Sequence, residues 1–441
     1  MSHRTVHEWG RVRVGESGFT RGQANALLAA ARAHPLGGAD GTDILCDHHS
    51  YVRARQMVGV VASRGCSLEI LPKVDPAAMV EESGTVRARL VHMLDVALEL
   101  KLSVGETTAM GHHADSLLEV FIGLFADRLL AEVRRGLPRQ YRAFDEDLRA
   151  LRGRLDMVRQ FTVHAVRPDR LACRFDALDA DTPLLRVMKA CVLLLVRHVR
   201  GIGTQRKLAE LRFLLADVPT VSPSALPWRQ VKIDRTSQRW KTLLDLARLL
   251  MGERWQQTHA ATSAPDGITL LFPMNELFER YVAIQLRRAL AGSGLDVVAQ
   301  GGLRYCLGPW RDGEECIGDS HATRPDILVR RGDKVVTVID TKWKHLANGV
   351  NQADVYQMMA YARLYRCNRL ILLYPAVPGE VVTDLNPRGL SQGPERLDVL
   401  KVAIEREEHD VRAALRGLID RATLQAGRVA QCGGADTGFE T

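Results

Sequence analysis

The chain has 441 residues, of which 46% are hydrophobic and 25% are charged. At roughly 150 residues per domain, this length predicts two or three domains of ordinary globular composition, and excludes a disordered chain or a coiled-coil rod. The longest strongly apolar stretch, Cys191 to Val196, is far shorter than the roughly 20 residues that a membrane-spanning helix needs. The first residues lack the apolar segment of a signal peptide. We therefore expect a cytoplasmic protein.

The positive charge is concentrated in one segment. The net charge is +8, and 11 basic residues against five acidic ones lie between Arg134 and Arg174. Such an excess is typical of a surface that binds nucleic acid or an acidic protein, but an ordinary solvated surface has the same composition. The sequence leaves both interpretations open.

The cysteine and histidine spacings do not indicate a structural metal. The eight cysteines are scattered and include no CxxC pair, which excludes a zinc ribbon and a disulfide framework and favours reduced thiols. The two adjacent histidine pairs, His48–His49 and His112–His113, have no third ligand near them in sequence. We interpret them as surface residues.

Residues 1–78 predict a β-rich N-terminal domain. Two β-rich runs, Gln56–Val61 and Ser67–Pro72, flank a small turn that contains glycine, which is typical of a hairpin. Val12 and Val14 indicate another short strand, and the rest of this region reads as short strands and turns.

Residues 79–262 predict a mainly helical middle region. Apolar residues recur at spacings of three and four in Leu90–Leu98 and Leu117–Phe125. A further helix is predicted from Pro183 because a threonine cap precedes it, and another covers Trp240–Leu250. No motif of known chemistry lies here, so the region is predicted to be a scaffold or a body that docks a partner.

Residues 263–425 predict an α/β domain with a mixed sheet flanked by helices, followed by a flexible tail over 426–441. Helices and strands alternate in this region, in contrast to the middle one. The predicted elements are a helix Asn275–Leu290, strands Leu295–Ala299, Ile327–Arg330, Val335–Ile339 and Leu370–Tyr374, a helix Asp354–Arg366, a strand Leu397–Ile404 and a helix Glu407–Ala422. The predicted fold class is therefore a multidomain combination of α+β and α/β.

The strongest candidate site lies at the end of one predicted hairpin. The strands Ile327–Arg330 and Val335–Ile339 flank a Gly-Asp turn, so Asp326 falls opposite or beside Asp340, about 4.5–5.5 Å away in an antiparallel ladder. Lys342 lies two residues beyond Asp340 and shares its face. Two carboxylates and one ammonium group are therefore expected to lie close together at this end of the sheet.

This convergence suits Mg²⁺-dependent phosphodiester hydrolysis. Two neighbouring carboxylates repel each other unless a cation lies between them, and Mg²⁺ prefers such oxygen ligands. The ion activates water, and Lys342 is placed to orient that water or to offset negative charge. The alternative is that Asp and Lys simply decorate the solvated end of a hairpin.

Residues on two predicted helices favour the catalytic interpretation. Gln357 and Tyr361 are four apart and lie on one helix face, which a right-handed crossover brings beside the strand end. Glu279 on the earlier helix is a candidate third carboxylate, with Glu276 as its rival. Each of these residues is also compatible with an ordinary surface or core position.

Together, Glu279, Arg324-Pro325-Asp326, Asp340-Thr341-Lys342 and the pair Gln357 and Tyr361 resemble the motifs of the PD-(D/E)XK nuclease superfamily. Within that superfamily the chain resembles the McrC family, the nuclease subunits of McrBC-type restriction systems that cut DNA with modified cytosine. The segments that carry this narrower resemblance are Val58–Val61, Leu68–Lys73, Leu151–Leu155 and Phe272–Glu279.

The resemblance implies a Mg²⁺-dependent DNA endonuclease. The catalytic positions that it implies are Asp326, Asp340, Lys342, Glu279, Gln357 and Tyr361, and the three acids among them would bind the metal. It implies an N-terminal domain that contacts and stimulates an McrB-like AAA+ GTPase hexamer, and double-stranded DNA with modified cytosine, such as 5-methylcytosine, as substrate. The sequence has no GxxxxGK[ST] motif, so nucleotide hydrolysis falls to the partner.

Two other functions remain open at this stage. The first is a non-cleaving regulatory adaptor of an AAA+ ring, which binds DNA through a nuclease-like fold and agrees with the long helical region and the arginine-rich segment. The second is a stand-alone junction or repair nuclease, which the long non-nuclease region disfavours.

Overall fold

The structure of the protein is a computed structural model. It describes residues 2–37, 42–63, 65–73, 83–100, 116–167, 169–235, 237–252, 267–310, 312, 316–346, 349–376, 385–391, 393–404 and 408–419. The predicted tail 426–441, the pair His112–His113 and both ends of the region 79–262 lie outside these residues. Within them, no helix combines the length and the apolar character needed to cross a bilayer.

The N-terminal region contains two small sheets and one helix. Its elements are β1 (Ser2–His7), β2 (Arg11–Arg13), α1 (Arg21–Arg32), β3 (Leu45–Asp47), β4 (Tyr51–Ala54), β5 (Met57–Ser63) and β6 (Cys66–Leu71). The predicted hairpin is confirmed, because β5 and β6 pair antiparallel and Ser63 lies opposite Cys66. β1 adds to β6 in parallel, and β2, β4 and β3 form the second sheet.

Helix α1 corrects the prediction that residues 1–78 hold only short strands and turns. A capping box starts this helix, since Thr20 and Gln23 bond each other's backbone N–H groups. The buried residues Ala24, Leu27, Leu28 and Ala31 follow the i, i+3, i+4, i+7 spacing of an amphipathic helix. The helical spacing of apolar residues was therefore present in the sequence. It was weak because several of these residues are alanines, whose side chains are small.

The middle region contains the predicted helices and, in addition, a sheet. Its elements are α2 (Ser83–Leu98), α3 (Leu117–Arg135), β7 (Gln140–Leu148), β8 (Arg154–Leu155), α4 (Met157–Thr162), β9 (Leu171–Asp179), α5 (Pro183–Leu195), α6 (Ile202–Leu214) and α7 (Lys241–Leu250). β9 pairs antiparallel with β7 along its whole length and also with β8. The helical reading missed this sheet because many of its side chains are charged and exposed on both faces, so the two-residue apolar period of a half-buried strand is lost.

The arginine-rich segment coincides with this added sheet, and several of its arginines are paired with acids. The ion pairs there join Arg134 to Glu210, Arg142 to Asp179 and Asp181, Arg159 to Asp147, and Arg174 to Asp145 and Asp156. Three of these acids, Glu210, Asp179 and Asp181, lie outside residues 134–174. A count of charges within that segment alone therefore overstates the excess of positive charge in this part of the fold.

The C-terminal region is built on a six-stranded mixed sheet. Its elements are β10 (Ile268–Pro273), α8 (Met274–Ala289), β11 (Asp296–Ala299), β12 (Arg304–Leu307), β13 (Ser320–Thr323), β14 (Ile327–Arg331), β15 (Lys334–Thr341), α9 (Gln352–Tyr365), β16 (Arg369–Pro375), β17 (Leu385–Gly389), β18 (Arg396–Val402) and a helix α10 over 408–419. The strand order is β11-β14-β15-β16-β18-β17. β15, β16 and β18 run parallel and the other pairs antiparallel, so the predicted mixed sheet is confirmed.

Strand β10 belongs to the N-terminal sheet, although the predicted boundary at residue 263 assigned it to the C-terminal domain. It pairs antiparallel with β5, with Ile268 opposite Ala62 and Pro273 opposite Met57. Gly59 permits this pairing: its φ is +129°, and a Cβ there would lie 1.8 Å from the carbonyl oxygen of Leu270. The sheet order β1-β6-β5-β10 thus joins the N-terminal strands to the strand that directly precedes α8.

The central strands of the large sheet are buried on both faces, and alternate side chains along each strand point to opposite sides. One set, including Ile327, Ile339 and Ile371, joins the main core with α8 and the helices of the middle region. The other set packs against α9 through residues such as Met358 and Tyr361. The ends of β14 and β15 therefore lie between α8 and α9, the two helices predicted to carry Glu279, Gln357 and Tyr361.

Candidate active site

The β14–β15 hairpin brings the two predicted aspartates to one edge of the sheet. Ile327 lies opposite Ile339 in the ladder, so Asp326 and Asp340 follow as the next pair where β14 begins and β15 approaches its end. The turn at the other end of the hairpin contains Gly332, whose φ of +59° favours glycine. The hairpin agrees with the sequence prediction, and so does its register from Ile327 to Val329. A bulge between Val329 and Arg330 shifts the pairing nearer the turn by one residue.

Asp340 and Lys342 form the centre of the site. Asp340 is 1% exposed, and its Oδ2 lies 2.6 Å from Lys342 Nζ. The pKa of Asp340 is raised to about 6, mainly by burial and then by the negative charge of Asp326, while the ammonium of Lys342 opposes the rise. Burial alone would lower the pKa of Lys342, but Asp340 and Asp354 outweigh it and the pKa is raised. The lysine is therefore a firmly held cation.

Thr341, which lies between Asp340 and Lys342, anchors the carboxylate of Asp326. Its Oδ2 accepts hydrogen bonds from the backbone N–H of Thr341 at 2.7 Å and from the Thr341 hydroxyl at 2.8 Å. These bonds fix the carboxylate of Asp326 against the strand that carries Asp340. No role for Thr341 was predicted from sequence, although its side chain orients this neighbouring acid.

A chain of hydrogen bonds fixes the amine of Lys342. Its Nζ donates to Oε1 of Gln357 at 3.1 Å, and Gln357 Nε2 donates to the hydroxyl oxygen of Tyr361 at 2.8 Å. The Tyr361 hydroxyl donates in turn to the carbonyl oxygen of Arg324 at 3.0 Å. The predicted pair on α9 therefore lies at the site, where it holds the ammonium toward the two aspartates.

Sequence reasoning missed a further acid, Asp354 in the first turn of α9. Its Oδ1 lies 3.9 Å from Lys342 Nζ, its Oδ2 lies 2.5 Å from Lys344 Nζ, and the Tyr374 hydroxyl donates to Oδ2 at 3.4 Å. Asp354 precedes Gln357 by three residues and so lies on the same helix face. That spacing was the available signal, but an acid in the first turn of a helix is common for dipole reasons alone.

Glu279 lies on α8 with its side chain buried close to the aspartates. Its pKa is raised to about 7, mainly by burial and in addition by the charges of Asp326, Glu276 and Asp340. Gln300 Nε2 donates to Glu279 Oε2 at 3.2 Å, while the Gln300 backbone N–H donates to the Asp326 carbonyl. The rival Glu276 is exposed, so the structure favours Glu279 as the acid of this site.

The donor set fits a hard divalent cation held by two carboxylates. Asp326 and Asp340 meet at the sheet edge, and the charge repulsion that contributes to the raised pKa values of Asp340 and Glu279 is what a bound cation relieves. Among the residues that the structure describes, no three or more His, Cys, Asp or Glu side chains cluster tightly enough to hold a metal by themselves. Mg²⁺ commonly binds one or two carboxylates and keeps several waters.

These features define the class: a multidomain α/β protein with an acidic centre and a fixed lysine at the edge of a mixed sheet. The chain belongs to the family of McrBC 5-methylcytosine restriction system components, whose model matches residues 52–375. The membership in an McrBC-type family that the motifs indicated is thereby confirmed.

Solved structures show the same fold over most of the chain. A chain of the half-complex refined from the tetradecameric assembly of Thermococcus gammatolerans McrB AAA+ hexamers with bound McrC is similar, with a TM-score of 0.72 and 20% identity over 95% of this chain and 100% of that one. A chain of the T. gammatolerans McrBC complex, determined by cryo-EM, has a TM-score of 0.53 and 23% identity over 66% of this chain and 88% of that one. A search of curated proteins finds no match.

Proposed function

We propose that this chain is the nuclease subunit of an McrBC-like, GTP-dependent restriction system, with a PD-(D/E)XK centre that cleaves double-stranded DNA containing modified cytosine. The observation that carries the proposal is the placement of Lys342, whose ammonium contacts both Asp340 and Gln357. Membership of the restriction-system family supports it.

Each residue of the centre has a role in this proposal. Asp326 and Asp340 would hold Mg²⁺, which when bound supplies Lewis acidity and activates a water. Lys342, oriented by Gln357, presents its positive charge to the phosphate as negative charge develops there. Glu279, whose pKa is raised to about 7 mainly by burial, would hold a proton beside the reacting group and would release it more readily once a cation binds nearby.

The proposed partner is an McrB-like AAA+ GTPase hexamer, because the matched T. gammatolerans assembly contains McrB hexamers with McrC. The chain exposes large apolar side chains on strand β7, on helix α4 and in the segment that follows α4, at Tyr141, Val158, Phe161 and Val166. Exposed apolar residues grouped on one substructure are typical of a protein interaction surface. We propose that this part of the chain contacts the ring, together with the predicted contact through residues 1–78.

The test is a reconstituted cleavage assay with the cognate GTPase, using methylated and unmethylated duplexes, with and without GTP and Mg²⁺. Wild type is expected to cut methylated DNA when both are present, and Asp340→Ala and Lys342→Ala to lose at least about 100-fold in rate. The matched control is Asp333→Ala, which removes a fully exposed acid from the turn of the same hairpin and is expected to leave cutting unchanged.

Two outcomes would contradict the proposal. Unchanged cutting by Asp340→Ala and Lys342→Ala would show that these residues are not the catalytic centre. Stimulation of the GTPase without nicking under Mg²⁺ or Mn²⁺ would instead support the non-cleaving adaptor.

A further inference from the structure

One contact joins the N-terminal domain to the segment that carries the central lysine. Trp343 directly follows Lys342, and its Nε1–H donates to Oε2 of Glu8 at 3.4 Å. The same oxygen accepts the backbone N–H of Lys73 at 3.0 Å. Glu8 comes directly after β1 and Lys73 shortly after β6, so the first sheet presents a fixed acceptor to the catalytic segment.

The indole of Trp343 also packs against α8, the helix that carries Glu279. The ring of Trp343 lies 5.4 Å from that of Phe278, with the two planes tilted by 59°, and Phe278 directly precedes Glu279 on α8. Trp343 therefore touches the residue next to Glu279 and is itself the residue next to Lys342. A shift of the Trp343 side chain would therefore move both Lys342 and Glu279.

The burial of Glu8 argues against a purely structural role. Glu8 is 4% exposed, and burial raises its pKa to about 7 although the bonds from Lys73 and Trp343 oppose the rise. A buried carboxylate costs free energy that an apolar side chain of similar volume would avoid. What the acid supplies in return is a directional acceptor for the indole N–H, which an apolar side chain lacks.

We propose that Glu8 and Trp343 form a positioning pair, through which the N-terminal domain sets the placement of Lys342 and Glu279 for the reaction. The proposal rests on the endonuclease function proposed above. In this view the centre is complete only while the first sheet is docked against it, and neither Glu8 nor Trp343 touches the DNA.

The experiment measures single-turnover cleavage, DNA affinity and GTPase stimulation with the full-length chain and its partner. Glu8→Ala removes the acceptor, and Trp343→Phe removes the donor but keeps a ring against Phe278. Each is expected to slow the cleavage step about 10- to 100-fold, the loss typical of a small misplacement of reacting groups, with DNA affinity and GTPase stimulation unchanged. The double variant is expected to be no slower than either single one, because both remove the same interaction.

Two further variants separate positioning from general damage. Glu8→Gln keeps an oxygen that accepts both N–H groups and is expected to retain cleavage near the wild-type rate, and Glu16→Ala, which removes an exposed acid of the same domain, is expected to behave as wild type. Wild-type rates in Glu8→Ala and Trp343→Phe, or additive losses in the double variant, would overturn the pair while leaving the proposed function intact. Absence of cutting by wild type would instead refute the proposed function.

Discussion

Replacing Glu279 by glutamine tests the electrostatics of the site without requiring DNA. Glutamine has the same shape and keeps an oxygen for the Gln300 amide, but it carries no charge. The folded chain holds Glu279 at a pKa of about 7 against a reference of 4.5. At 1.36 kcal/mol per unit, that rise corresponds to about 3 kcal/mol by which the ionised Glu279 destabilises the fold.

The sign of the effect fixes its pH range. A raised carboxyl pKa means that the folded state retains the proton longer than the unfolded state does, so stability falls as pH rises from 4.5 to about 7. Below pH 4.5 both states carry the proton and the substitution is expected to be nearly neutral. At pH 8, without divalent ions, Glu279→Gln is expected to be more stable than wild type by up to about 3 kcal/mol.

The assay is urea unfolding in EDTA, followed across pH 4 to 8 for wild type and the variant. Glu276→Gln on the same helix is the control, since Glu276 is exposed and its substitution removes a charge of the same sign with little effect on packing. A stability difference that is constant with pH, or a Glu279→Gln variant that is less stable than wild type at pH 8, would refute the reasoning.

Three further outcomes are expected. Mg²⁺ at about a hundredfold excess over its Kd is expected to stabilise wild type by about 2.7 kcal/mol and Asp340→Asn far less; equal shifts in a melting assay would remove Asp340 from the metal site. Glu69→Gln removes the buried charge that binds the guanidinium of Arg87 through Nε and Nη2 and is expected to cost about 3–5 kcal/mol in urea unfolding; an effect under 1 kcal/mol would contradict this. Gly59→Ala forces a Cβ onto the carbonyl of Leu270 and is expected to lower the free energy of unfolding by about 1–3 kcal/mol. A melting temperature equal to that of wild type would disprove this.

The parts of the site that could be predicted from sequence are those fixed by local periodicity. The hairpin that joins Asp326 to Asp340 follows from two β-rich runs and a Gly-Asp turn, and the position of Lys342 follows from the two-residue repeat of a strand. Gln357 and Tyr361 share a helix face for the same kind of reason. Local rules place these residues before any tertiary contact is known.

The contributions of Gln300 and Glu8 could not be predicted, because they depend on tertiary structure. Gln300 reaches Glu279 from a loop position with a φ of +47°, which no pattern of residue types signals. Glu8 meets Trp343 across 335 residues of chain. The pairing of β10 with β5 is non-local in the same way, and its only local sign is Gly59, which is equally compatible with a simple turn.

The pairing of β10 with β5 has a consequence for how the chain is made. Residues 57–63 emerge from the ribosome roughly 200 residues before 268–273, so at typical rates of synthesis one side of β5 lacks its neighbour for roughly 10–40 seconds. An open strand edge of this kind invites pairing with other chains. Nascent or truncated forms that stop short of residue 268 are therefore expected to aggregate or to recruit chaperones.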